Sequence, residues 1–510
     1  MRVIIKESLT VLTTVSFLFG GTMKNIGFDN ELYVKLQTET IKERIKMFNN
    51  KLYLEFGGKL FDDYHAKRVL PGFELNAKIR LLEELKDQAE IIFCINAKDI
   101  EKKKIRADYG ISYDMEVIRL IKIFRNLNID VNSVVITMYK GQNCVEGFRA
   151  KLDNLNVKSY VHTPTKGYPT DVDIIVSEEG YGANPYIETT KPLVIVNAPG
   201  PCSGKLATCL SQLYHEYKRG IKAGYAKFET FPVWSLPLKH PVNVAYEAAT
   251  ADLKDVNMID SFHLDAYGIS AVNYNRDLEV FPILKNILSK IMGKEIYKSP
   301  TDMGVNSIGK CIIDDNIVKT AARKEIIRRY YKALVDSKVN GADKEIYKRI
   351  KVLMNELNIT NDELKVIDAA NDKKDKCKRN VIAIELPNGK IITGKQTKLL
   401  TPASSLILNC IKYLTNIPDE IDLLSPNILN PILKLKKQSL YDNELLNLND
   451  VLISLSICSA TNSMVKKALS NLKKLNSCDA HATYIVEKAD LEALRSLLIN
   501  LTCEPIFKEN

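Results

Sequence analysis

Several common signatures are missing from this sequence. No repeat recurs at a fixed period and no tract is of low complexity, so solenoids, collagen-like chains and long disordered tails are excluded. Charge of one sign is not gathered anywhere: the 72 Lys and Arg against 62 Asp and Glu give a net +10, but the signs are mixed along most of the chain. The longest basic clusters are Lys102 to Lys104 with Arg106, and Lys373 to Arg379, where Asp372 and Asp375 interleave. They read as solvated helix faces rather than a nucleic-acid footprint. The 10 cysteines never form a CxxC pair, and most lie in apolar runs such as IIFCIN and LILNCIKYL. That excludes a disulfide framework and a zinc knuckle, and it points to reduced, buried thiols and a cytoplasmic location. The only membrane-like stretch is Leu9 to Phe19. It contains several threonines, follows Glu7 and lacks an A-x-A cleavage site, so residues 1–22 read as an upstream extension of a start at Met23, or a weak signal-like segment.

What remains is the composition of an ordinary folded protein, 45% hydrophobic and 26% charged over 510 residues, long enough for two to four domains. Between Lys51 and Gly220, short β-branched runs (KLYLEF, EIIFCI, SVVITMY, KSYVH, VDIIVS, PLVIVNA) alternate with helix-period segments. Such alternation predicts a doubly wound α/β domain with a largely parallel sheet over residues 23–225. In these sheets ligands bind at the carboxyl ends of the strands, here the loops after Phe56, Tyr139, Ser177 and Ala198. Residues 226–310 are polar and irregular apart from a helix expected at Phe281 to Met292, the kind of segment that often carries a site. A helical domain is expected over 311–375, and a second, smaller α/β domain over 376–510, opened by an Asn388-Gly389 hairpin.

The strongest chemical signal is PLVIVNA followed by Pro199-Gly200-Pro201-Cys202-Ser203-Gly204-Lys205, then a helix. A small-residue loop between strand and helix can turn successive amides to one point, and a lysine adds a full positive charge. Cys202, Ser203, Gly204, Lys205 and Thr208 are the candidate phosphate-binding residues. The Walker consensus is met imperfectly: Pro199 replaces its first glycine, Leu206 stands where Ser or Thr would hold magnesium, and Pro201 lacks an N–H. The competing reading is a Gly/Pro turn with a solvated lysine. IIVSEE, at Ile174 to Glu179, has the form of a Walker B strand end. Gly57-Gly58-Lys59, followed by Asp62, Asp63, His65 and Arg68, would share a site with the 199–208 loop if the two strands are neighbours. Thr393-Gly394-Lys395 reads as a turn.

In the polar segment, His240, Asp260, His263 and Asp265 are the candidate acid–base groups, set against satisfied structural hydrogen bonding. Their spacing is not that of zinc ligands, so no metal site is assigned. No protease constellation appears either: Arg219 stands where HExxH needs its second histidine after His215-Glu216, and GPCSG is not GxSxG.

The runs FGGKLFDDYHAKRVLPGF, APGPCSGKLATCLSQLYHEYKRG, AGYAKFETFPVWSLPLKHPVNVAYEAATADLKDVNMIDSFHLDAYG, NYNRDLEVFPIL and SPTDMGVN resemble, in the same order, a bacterial family known as domain of unknown function eighteen-forty-six. The similarity runs from Met23 to nearly the carboxyl end. It implies a multi-domain cytoplasmic α/β protein of no assigned activity, some of whose members bear the label ATP-dependent peptidase. The family pattern leads one to expect glycine at 202; if that position needs a positive φ, cysteine strains the loop. The expectation is therefore an enzyme binding a nucleotide or phosphorylated small molecule through a degenerate phosphate loop, its cofactor unknown, with no nucleic-acid or membrane partner. The alternative is a non-catalytic homo-oligomeric structural or regulatory protein.

Overall fold

The computed structural model describes residues 26–106, 110–439 and 445–508. The segment 1–22 singled out above lies outside the described residues. Seven strands form one parallel sheet: β1 (Leu52–Phe56), β2 (Ala89–Asn96), β3 (Asp130–Thr137), β4 (Lys158–Val161), β5 (Leu193–Asn197), β6 (Gly224–Phe228) and β7 (Gly304–Val305), in spatial order β7-β6-β1-β5-β2-β3-β4. β5 is buried along its whole length and β2 at all but its last residue, which is why both read as unbroken apolar runs.

The winding reverses at β5. From β2 the chain steps outward to β3 and β4, then returns to insert β5 between β1 and β2 and continues the other way through β6 and β7. Right-handed crossovers then place the helices of the two halves on opposite faces. Helix α1 (Tyr113–Asn126) lies against β2 and β3, whereas α2 (Lys205–Lys218) lies against β1, β5 and β6. The loop after β5 thus occupies a topological switch point, where an open α/β sheet has a crevice.

Two sequence expectations change. VDIIVS is not a strand: the Asp171 carboxylate accepts from the Ile174 N–H at 3.0 Å and caps a one-turn helix, Val172–Ile175, so the Walker-B-like strand and the loop after Ser177 disappear. The segment 226–310 holds more regular structure than expected, helix α3 (Pro241–Ala249), a short hairpin (Asn257–Ile259 with Val272–Tyr274) and β7, besides the expected helix, α4, which runs over Asn275–Met292. Its polar residues serve buried backbone: Asn243 accepts from Val233 N–H at 2.7 Å and donates to Val233 O at 3.2 Å, and Asn306 donates to the carbonyls of Thr230 and Pro232.

Helix α5 (Asp315–Val339) joins the parts. It packs on α3, on the helix Tyr64–Val69 that follows β1, and on the carboxyl-terminal unit. That unit is a four-stranded mixed sheet, β8 (Val381–Glu385), β9 (Ile391–Lys395), β10 (Asp479–Ala482) and β11 (Asn500–Cys503), in order β9-β8-β10-β11. The Gly394-Lys395 pair belongs to β9, and its glycine is there for close approach to helix α6 (Pro402–Thr415). A β-carbon at 394 would lie 2.2 Å from Leu406 N and 2.5 Å from Pro402 O. Gly394→Ala is expected to cost about 2 kcal/mol or more, read as a lowered urea midpoint; an unchanged midpoint would contradict this packing.

Candidate functional site

A cleft of about 3830 Å³ opens at the carboxyl ends of β1, β5 and β6, and its other wall is α5 with β11. Two of the strands that feed it, β1 and β6, carry charged groups at or just past their ends, an uncommon choice for a central sheet. Glu55, on β1, is the register partner of Lys227 on β6. Its carboxylate accepts from the Tyr225 hydroxyl at 2.9 Å and lies 3.9 Å from Lys205 Nζ. Lys227 is held at 2.6 Å from both Glu229 and Asp277.

That arrangement sets the proton chemistry. Burial opposes charge on Lys227 and on Glu229, but two carboxylates keep Lys227 cationic with its pKa raised. One ammonium cannot hold both acids ionised equally: burial and the neighbouring Asp277 charge outweigh Lys227 and push Glu229 up to about 7. A cleft-lining carboxyl that titrates near neutrality suits general acid–base work.

The loop from Pro199 to Gly204 enters the same cleft, and its backbone is left-handed at Cys202 (φ +56°) and at Gly204 (φ +85°). Cysteine therefore occupies a conformation that glycine takes at no steric cost, a strain of about 1 kcal/mol. Gly204 also admits the close approach of Thr137, whose methyl and hydroxyl would lie 2.9 Å from an added β-carbon. Thr137 Oγ1 donates to Ser203 O at 2.8 Å, and Ser203 Oγ to Gly200 O at 2.8 Å, so the loop is tied by its carbonyls. The N–H groups of Cys202 and Gly204 find no acceptor among the described residues, and α2 has no side-chain cap.

Of the five candidate phosphate residues, only Cys202 and Lys205 line the cleft. Ser203 and Thr208 are buried behind the loop, where Thr208 Oγ1 donates to Gly204 O at 3.0 Å and faces Cys94 Sγ at 3.4 Å. The Gly57-Gly58-Lys59 loop does share this site, because β1 and β5 are neighbours. There Lys78, almost wholly buried, donates to Lys59 O at 3.0 Å and Asp63 Oδ2 at 2.8 Å.

The candidate acid–base groups of the polar segment lie elsewhere, and none lines the cleft. His240 caps α3 through Nδ1, which accepts from Val242 N–H at 3.2 Å, and its Nε2 is 2.8 Å from Asp315 at the start of α5. Asp260 is fully buried and caps the helix Ser261–Tyr267, accepting from His263 N–H and from the N–H and hydroxyl of Thr301. His263 is brought beside it, with Nδ1 2.8 Å from Ser299 Oγ, but Asp265 is exposed and joins neither. All but Asp265 thus have structural partners. Likewise Glu216 of the His215-Glu216 pair accepts from the hydroxyls of Tyr53 at 2.6 Å and Tyr186 at 3.1 Å. Glu55, Lys227 and Glu229 escaped the sequence reading. Their signal was a charge interrupting an apolar strand, as in KLYLEF and GYAKFETF.

Fold and cleft together define a doubly wound α/β protein with a charged switch-point site and a second mixed-sheet unit. Comparison with known proteins gives the family. The family described as domain of unknown function DUF1846, N-terminal, matches residues 26–358, and its C-terminal counterpart matches residues 362–510. The UPF0371 protein of Clostridium botulinum (strain Alaska E43 / Type E3) is 56% identical over 492 residues, covering 94% of this chain and 98% of that protein. The UPF0371 protein of Clostridium tetani (strain Massachusetts / E88) is 55% identical over the same length. The chain belongs to the DUF1846 family.

The raised Glu229 makes a signed prediction. Its folded-state value, about 7, lies above that of the unfolded chain, so its stabilising contribution is full at acid pH and is lost as pH rises to 7. Glu229→Gln removes that loss. Between pH 4.5 and 7.5 the unfolding free energy of the variant should gain about 2 kcal/mol on the wild type; a difference independent of pH would contradict the assignment.

Proposed function

We propose that this protein is an enzyme acting on a nucleotide or other phosphorylated small molecule, bound by the amides of Cys202 to Gly204 and the ammonium of Lys205. The observation that carries this reading is the unpartnered amides of Cys202 and Gly204 beside a lysine at the switch point of the sheet. Backbone N–H groups and a lysine are the donors that phosphate takes. Glu229, with Lys227 and Asp277, is the proton-transfer group in this scheme, and it replaces the candidates of the polar segment. Leu206 leaves the loop without the hydroxyl that positions magnesium in ordinary ATPases, which favours a phosphorylated substrate over ATP hydrolysis. The partner is then a small ligand, neither nucleic acid nor membrane, in a cytoplasmic setting. No helix among the described residues is long and apolar enough to cross a membrane.

One observation favours the alternative, a non-catalytic homo-oligomer. Met258, Leu264, Tyr267 and Ile269 are exposed within a dozen residues of each other on the hairpin and the helix that follows its first strand. Light scattering reads that directly, as a mass above 57.6 kDa.

The enzyme reading is tested by thermal shift with inorganic phosphate, ATP, GTP and ribose 5-phosphate. At least one should stabilise the wild type, with affinity reduced about tenfold or more in Lys205→Ala, close to 1.4 kcal/mol. Equal shifts in both proteins, or none in either, would overturn it.

A further inference from the structure

The wall of the cleft opposite the sheet carries a second concentration of charge. Glu325, on α5, is 1% exposed and accepts from three guanidinium groups. Arg68 Nε donates to it at 2.7 Å and Arg68 Nη2 at 3.0 Å, Arg328 Nη1 at 3.0 Å, and Arg329 Nε at 2.9 Å. Arg328 Nη2 continues to Asp479 on β10 at 2.7 Å, where Lys324 Nζ also lies at 3.3 Å. Within ion-pair reach, four cations thus share two carboxylates, leaving two positive charges uncompensated.

A structural ion-pair network would be expected to balance its charges, because each unpaired buried charge costs several kcal/mol. This one does not, and donors are left over. Arg68 Nη1 and Arg329 Nη1 have no partner among the described residues, and the buried Arg328 Nε and His65 Nε2 have none either. His65 is kept neutral by burial, and its Nδ1 faces Arg329 Nη2 at 3.2 Å. With Nδ1 accepting there, the ring proton belongs on Nε2, which lies among the rings of Phe231 and Tyr246. All four cations line the cleft that the phosphate loop enters.

We infer that Arg68, Arg329 and Lys324 form a second phosphate subsite, so that the ligand is a small molecule bearing two phosphate groups, one on the loop at Cys202 to Lys205 and one against α5. Arg328 and Glu325 act as positioning residues that fix the guanidinium forks. This deepens the proposed function and rests on it for the first phosphate. Fork-shaped donors suit a phosphate better than a lone ammonium does.

Equilibrium dialysis with inorganic phosphate counts the subsites. The wild type should bind two phosphates per chain, Lys205→Ala one, and Arg68→Gln/Arg329→Gln one. A single site lost in Lys205→Ala and untouched by the arginine changes would overturn the inference and leave the proposed function standing. A single site lost only with the arginines would overturn the loop site and with it the two-phosphate ligand, leaving the arginine subsite alone, and no site at all would overturn both. Should the double arginine variant fail to fold, Lys324→Ala, at a partly exposed position, replaces it: a tenfold weaker second site supports the inference, and an unchanged one overturns it.

Discussion

The insertion of β5 between β1 and β2 is the constraint on which the rest of the molecule depends. It reverses the winding of the sheet, sends α2 to the face opposite α1, and leaves the Pro199 to Gly204 loop at the mouth of a crevice rather than covered by its neighbours. The apolar continuity of β2 and β5 is a consequence, since strands covered on both faces cannot alternate. So is the meeting of the β1 and β5 loops, which brings Lys78 and Asp63 into the cleft that Lys205 lines.

Charge is then used sparingly and at depth. Glu55, Lys227 and Glu229 lie at or just beyond the ends of central strands, and Glu325 is buried in the bridging helix. Buried ion pairs seldom add net stability, because desolvation offsets the attraction; their attested value lies in fixing one geometry. Here the Glu325 cluster fixes the register between α5, the helix after β1 and the carboxyl-terminal sheet through Arg68 and Arg328. The Lys227 cluster fixes α4, through Asp277, against β6. Both clusters face the same cleft, so the contacts that organise the fold also give the site its charge.

Much of the fold was legible in the sequence. The alternation of β-branched runs and helix-period segments gave five of the seven strands of the large sheet, and helix limits at Lys205 and Pro402 agree to the residue. VDIIVS failed because a local side-chain cap outcompeted strand pairing, a contest that composition does not reveal. GYAKF was passed over because its lysine broke the apolar pattern, and that lysine lines the cleft. The loop at 199–205 was found because strand, glycine and lysine appear in the order that anion binding requires. His240, Asp260 and His263 have structural partners, and capping and catalysis draw on the same side chains, so the sequence alone does not tell the two roles apart. The Glu325 cluster joins residues more than 250 positions apart, and no local pattern reports that.

The candidate site stands most directly on the backbone amides of the Cys202 to Gly204 loop. A crystal grown without anions and soaked in tungstate, a heavy phosphate analogue, locates the site without assuming a substrate. The account predicts a tungstate peak within hydrogen-bonding distance of those amides and of Lys205 Nζ. Clear density for the loop with tungstate absent from it, or bound only at unrelated surface lysines, would contradict the central claim.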